Sequence, residues 1–143
     1  MIRTTDIQKI DSVLKHPEIW PLISDGEDPN TFDVPVTDDI HYLFEDGVLF
    51  ILHPLGDDLE IHANILPEHR EKSHSAALEA LEYGFQLNDK IVARIPVKFG
   101  NVYGFTRKFM NDDGVIDGVH HLSLENKQWE ERQKTGPVAS LAS

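Results

Sequence analysis

Apolar positions set the first expectations. Ile7, Ile10 and Leu14 recur at helical spacing behind Thr5 and Asp6, so Asp6–Lys15 reads as an amphipathic helix with one of those two residues as its cap. His16-Pro17 breaks it, because proline disfavours helical geometry in the residue before it. Pro17 then suits the start of a second short helix through Trp20 to Ile23. Ser24–Asp39 reads as an acidic loop carrying Asp25, Glu27, Asp28, Asp33, Asp38 and Asp39.

From Ile40 the period shortens to two. Ile40, Tyr42 and Phe44 alternate with His41 and Glu45, and Asp46-Gly47 is a turn signal. Val48–Leu52 is continuously apolar, as expected of a strand buried on both faces. Pro54–Asp58 reads as the next turn. Leu59, Ile61, Ala63 and Ile65 then alternate with Glu60, His62 and Asn64, which places three polar groups on one strand face. The plainest expectation for that face is contact with solvent.

After Pro67 the period lengthens again. Ala77, Leu78, Leu81, Gly84 and Phe85 predict a helix over Ser73–Leu87. Ile91, Ala93, Ile95 and Val97 predict a strand whose ladder ends near Pro96. Gly100–Met110 reads as a short helix, Asn111–Gly114 as a turn, and Val115–Leu124 as one or two strands bent at Gly118. Asn126–Lys134 is polar and helical around Trp129, and Thr135–Ser143 reads as a mobile tail. The expectation is one domain over 1–134. Meandering strands feeding one helical crossover imply an α/β (α+β) architecture, a mixed and mostly antiparallel twisted sheet with helices on both faces.

Charge narrows the partners. With a formal net charge of -12, the chain has too few cations to neutralise a phosphate backbone, which argues against nucleic acid. An acidic surface suits a cationic partner, and in the blandest case serves solubility. No run is long and apolar enough for a membrane span. The first residues lack the apolar core of a signal peptide, so the default expectation is a cytoplasmic protein. There are no cysteines, which excludes disulfides and a thiol nucleophile. The 8 histidines show no ligand motif such as His-Glu-x-x-His, so no metal is expected.

The element order resembles that of the GNAT N-acetyltransferases over roughly residues 6–131. The resemblance is sharpest in Glu60-Ile61-His62-Ala63-Asn64-Ile65-Leu66-Pro67-Glu68-His69-Arg70-Glu71-Lys72. That stretch is similar to the family's fourth strand and its "Pro-Glu-x-Arg-Gly-Lys" approach to the long helix. Asp113-Gly114-Val115 through Leu122-Ser123-Leu124 to Trp129 is similar to the final hairpin of members that modify protein N-termini. The resemblance implies acetyl-CoA or another acyl-CoA as cofactor. Its pyrophosphate would sit at the helix start Arg70-Glu71-Lys72-Ser73-His74-Ser75, where unpaired N–H groups and the helix dipole favour anions. Arg70 matches the family pattern. Ser73 and Ser75 stand where it has small residues, usually glycines.

The resemblance also implies roles. Glu60 is the candidate base, with His62 on the same face and able to share a water with it. A backbone N–H near Ile65 or Leu66 would meet the acyl oxygen. The acid position falls on Phe105, which has no proton to give, and Tyr103 fills the role only after a register slip. Two readings follow. One is an acyl-CoA-dependent N-acyltransferase for an amine-bearing small molecule or protein. The other is a non-catalytic GNAT-fold protein acting through contacts, such as a degenerate phage-encoded head or virion assembly factor. Pairing of the final strands across a two-fold axis would give a homodimer under either reading.

Overall fold

The computed structural model describes residues 1–24 and 26–134, so the expected tail over 135–143 lies outside the described residues. Its strands are β1 (Ile2–Thr4), β2 (His41–Glu45), β3 (Val48–Leu55), β4 (Asp58–Ile65), β5 (Lys90–Pro96), β6 (Asn111–Ile116) and β7 (Val119–Glu125). Its helices are α1 (Ile7–Leu14), α2 (Trp20–Ile23), α3 (Ser73–Phe85), α4 (Gly100–Thr106) and α5 (Asn126–Lys134). The strands join in the order β1-β2-β3-β4-β5-β7-β6. β4 and β5 pair in parallel, and the pairings of β1 with β2, β2 with β3, β5 with β7 and β6 with β7 are antiparallel. The expected mixed, mostly antiparallel sheet is thus present, and α3 makes the crossover that a parallel pair requires.

The chain falls into two units, residues 1–54 with 62–82, and 55–61 with the chain from Tyr83 on. In the first, Asp6 caps α1 by accepting the Gln8 N–H at 3.0 Å. α1 buries Ile10, Val13 and Leu14 against Ile19, Val34, Tyr42, Leu49 and Leu66. Each such side chain contributes about 1.5–3 kcal/mol when fully buried. Val48, Leu49, Phe50 and Leu52 are all buried, as their unbroken apolar run requires. The β3 strand runs three residues beyond Leu52, so the turn after it is narrower than Pro54–Asp58. β1 was not expected from its pattern. Ile2 and Arg3 are exposed, and the segment is extended because it pairs with the β2 edge, Arg3 opposite Leu43.

Gly47 closes the β2–β3 hairpin between Glu45 and Val48 with φ +75°. A Cβ there would lie 2.0 Å from His69 Cδ2. Gly47→Ala should therefore cost about 1–2 kcal/mol from the left-handed backbone, plus the displacement of the His69 ring. A shift in the urea midpoint at unchanged m-value checks this.

In the second unit, β5 buries Ile91, Ala93 and Ile95, and β7 buries Leu122 and Leu124. Trp129 of α5 packs on Phe85, with ring centroids 5.9 Å apart. Two expectations are corrected here. Asn111–Gly114 is not a turn but the first part of β6. The register shifts between Asp112 and Gly114, Gly114 has φ +110°, and its N–H donates to Asp112 Oδ1 at 2.9 Å, so the polar run makes a bulge inside a strand. The chain reverses instead at Asp117-Gly118, both at positive φ as a type I′ hairpin turn needs. The short helix also stops at Thr106 rather than Met110.

Candidate functional site

The first unit holds a histidine pair. His53 on β3 and His62 on β4 bring their Nε2 atoms to 3.0 Å. The rings are within 9° of parallel and their centroids are 5.2 Å apart. The centroids exceed the nitrogen separation by about twice an imidazole's radius. The line between the nitrogens therefore runs through both rings, and the rings meet head to head rather than face to face. That is the geometry of an N–H···N hydrogen bond. His53 Nδ1 lies 3.1 Å from the Pro54 carbonyl oxygen, which can only accept. Asp39 is close enough for charge on His41 and His53 to act on it. Its carboxyl is held below the usual range first by the Thr37 hydroxyl, with those charges adding. Burial, followed by the charge of Arg3, pushes the His41 imidazole down.

The second unit holds Glu60, which is 1% exposed and so is not on a solvated face as the alternation implied. The arginine opposite explains this. Arg94 Nε donates to Glu60 Oε2 at 2.5 Å and Arg94 Nη2 donates to Oε1 at 3.0 Å. Glu60 pairs with Val92 across the parallel β4–β5 ladder, so the guanidinium two residues further on reaches it as a fork. The hydrogen bond to Glu60, then its charge, holds the Arg94 proton even more firmly than usual. Both carboxylate oxygens are engaged, and a proton landing on either would cost the ion pair. Asn64 on the same strand is also buried. Of the three polar groups on that face, only His62 is exposed.

The approach to α3 is wound more tightly than expected. Pro67–Lys72 forms a 3-10 turn, and the Ser73 N–H donates to the Arg70 carbonyl. The Ser75 hydroxyl donates to the Lys72 carbonyl at 3.1 Å. Leu66 N–H donates to the Gly47 carbonyl at 2.9 Å, so of the two expected oxyanion donors this one is committed to the hairpin. Ile65 is the last residue of β4. Arg70, Glu71 and Ser75 are exposed, and Lys72, Ser73 and His74 are half-buried. The cations and hydroxyls of this run suit a phosphate group by charge and donor type, without the close backbone approach that glycines allow.

Tyr103 lies on α4 with its hydroxyl donating to Asp112 Oδ2. Its ring stacks on His120 at 3.7 Å, and the Arg107 guanidinium sits 5.6 Å from the ring centre. The bond to Asp112 raises the Tyr103 hydroxyl above its ordinary value. The Tyr103 hydroxyl, then the Gly114 N–H, hold the Asp112 carboxyl below its ordinary value. A lowered folded value means that the Asp112 contribution is present above the unfolded value of 3.8 and is lost as pH falls through the folded one. The raised Tyr103 value contributes below 10.0 and is lost as pH rises through the folded one. Tyr103→Phe should remove the Tyr103 dependence and weaken that of Asp112, which keeps the Gly114 N–H. Melting temperature against pH for the two chains should differ most between the folded values of Asp112 and Tyr103, and the difference should shrink as pH falls through the first or rises through the second.

His53, Glu60 and His62 are the candidate cation ligands among the described residues. The two imidazole nitrogens point at each other rather than at a shared third point, and Arg94 holds both Glu60 oxygens.

Glu60, His62 and Tyr103 stand out in the sequence, whereas their partners His53, Arg94, Asp112 and His120 do not. A two-residue turn at Gly56-Asp57 would have placed His53 one diagonal step from His62. Arg94 carried a signal as the polar residue between buried Ala93 and Ile95.

No family model and no curated protein matches the sequence. Solved structures do match. A spermidine N-acetyltransferase chimera from Vibrio cholerae and hSSAT is 17% identical, with 89% of this chain and 94% of that one covered and a TM-score of 0.64. Another such chimera gives 17% identity, 64% and 68% coverage and a TM-score of 0.53. The Campylobacter jejuni N-acetyltransferase PseH in complex with acetyl coenzyme A gives 10% identity, 62% and 70% coverage and a TM-score of 0.54. Against further Vibrio cholerae chains the match spans 60% of their length. No helix among the described residues is long and apolar enough to cross a membrane. The chain has the fold of the GNAT acyltransferases.

Proposed function

We propose that the chain is an acyl-CoA-dependent N-acyltransferase acting on a cationic amine, carried by an exposed imidazole on β4 of a GNAT fold. The matched structures are named as N-acetyltransferases, and one is named as an acetyl coenzyme A complex. The net charge of -12 suits an acceptor that arrives as an ammonium ion. Such an acceptor must lose a proton before it attacks an acyl carbon. In this reading the exposed His62 on β4 receives it. Glu60 acts through Arg94 to fix β4 beside β5 and so positions the strand. Arg70, Lys72 and Ser75 would hold the phosphates of an acyl-CoA, which supplies the activated thioester when bound. Tyr103 directs its proton to Asp112, which leaves protonation of the departing thiolate to solvent.

Isothermal titration of acetyl-CoA, with free CoA as comparison, tests the cofactor half. The expected result is micromolar binding, about -8 kcal/mol. A specific observation favours a second reading, a GNAT-fold protein that works by contact alone. The Ser73 and Leu66 N–H groups are already committed, and no glycine opens the turn between Arg70 and Ser75. Absence of heat up to about 1 mM acetyl-CoA would select that reading.

A further inference from the structure

We propose that the outer edge of the Arg94 guanidinium, with His121 and Ser123 beside it, recognises a carboxylate, so that the acceptor is a small amine that also carries a carboxylate. That the ligand is the acceptor rests on the function proposed above.

A guanidinium has five N–H bonds, and Arg94 commits two of them to Glu60, one from Nε and one from Nη2. That grip is side-on. The end-on fork, Nη1 with the second Nη2 hydrogen, is left for another planar acceptor of the same shape. Glu60 is buried, whereas the Arg94 side chain is 46% exposed, so a ligand can reach the guanidinium from water. The fork is also held in place. An arginine already fixed by a buried carboxylate loses little freedom when a second carboxylate arrives.

The neighbours on β7 add donors. His121 stands directly opposite Arg94 in the antiparallel β5–β7 ladder and Ser123 stands opposite Val92, so the three polar side chains share one face of the sheet. His121 and Ser123 are half-buried. Across from His121 on β6 is Gly114, where an added Cβ would meet nothing within 4 Å, so that flank of the face is open. Charge then decides the ligand class. Glu60 balances Arg94, so the ion pair offers hydrogen bonds without net charge. A singly charged carboxylate suits a fork and a hydroxyl, whereas a phosphate dianion needs a net positive site to offset its desolvation.

The test uses glycine, β-alanine and γ-aminobutyrate, each beside its primary amide, on the full chain and on Arg94→Lys and Ser123→Ala. Lysine keeps a cation for Glu60 but has no planar fork. Ser123→Ala touches neither member of the ion pair. Binding without acetyl-CoA is read from the backbone amide NMR signals of residues 121 and 123. At least one acid should bind about tenfold or more tightly than its amide. That preference should vanish in Arg94→Lys and fall by about threefold in Ser123→Ala. With acetyl-CoA present, the same preference should appear in kcat/KM. Equal binding of acids and amides, no binding of any acid up to about 10 mM, or a preference that survives both substitutions would overturn the inference. Shifts caused by inorganic phosphate and by none of the acids would overturn it as well. An acid preference in binding without acylation of any amine would overturn the acyl-transfer reading and leave the carboxylate site standing.

Discussion

Glu60→Gln should lower the free energy of unfolding by about 2–4 kcal/mol. Glu60 is almost fully buried and accepts from two nitrogens of one guanidinium. Glutamine keeps one acceptor but turns an NH2 group towards Arg94, so a donor faces a donor. The negative charge that balances Arg94 also disappears. Removing one partner of a buried pair costs about 3–5 kcal/mol, and the Arg94 side chain, 46% exposed, can turn partly to water, which sets the lower end. Arg94→Gln should cost more at neutral pH, because it takes the guanidinium away from a buried carboxylate. The double variant should be less destabilised than the sum of the singles, with a coupling of about 1–3 kcal/mol. Chemical denaturation of the four chains measures all of this. A Glu60→Gln chain of unchanged stability and greatly reduced turnover would instead make Glu60 the base and undo its structural assignment.

His62→Leu should do the reverse. His62 is exposed, so stability should stay within about 0.5 kcal/mol of the wild type. If its imidazole receives the acceptor's proton, kcat should fall by about 100-fold or more. KM for the acyl donor should change little, because the residues assigned to the phosphates lie beyond β4. The loss should shrink as pH rises, since a larger fraction of the amine then arrives already deprotonated. Steady-state kinetics between about pH 7 and 10 give the comparison. A parallel loss at every pH would mean that His62 shapes the site without accepting a proton.

Much of the fold was legible because burial and period agree. Ile10 and Leu14 of α1, the run Val48–Leu52, and the alternation of Ile91, Ala93 and Ile95 each point to one element and one buried face. The failures have specific physical causes. β1 has no pattern of its own and is made a strand by its neighbour's edge. Asn111-Asp112-Asp113-Gly114 has turn composition, yet the Asp112 side chain and the Gly114 backbone build a bulge that keeps it in the ladder. The site was half legible. Alternation placed Glu60 and His62 on one face, but their environments depend on partners that are distant in sequence. Arg94 is 34 residues from Glu60, and a periodicity argument cannot see that pairing. It takes Glu60 out of solvent, while His62 stays exposed.

The most direct test is to incubate the purified chain with acetyl-CoA and a panel of polyamine and peptide amines, and to follow the mass of each amine together with released CoA. One acetyl group should be gained per CoA released on at least one cationic amine, with near-complete loss of that product in His62→Leu. If no amine is acetylated while acetyl-CoA remains intact at saturating concentration, the chain keeps the GNAT fold without its chemistry, and the proposed function is wrong.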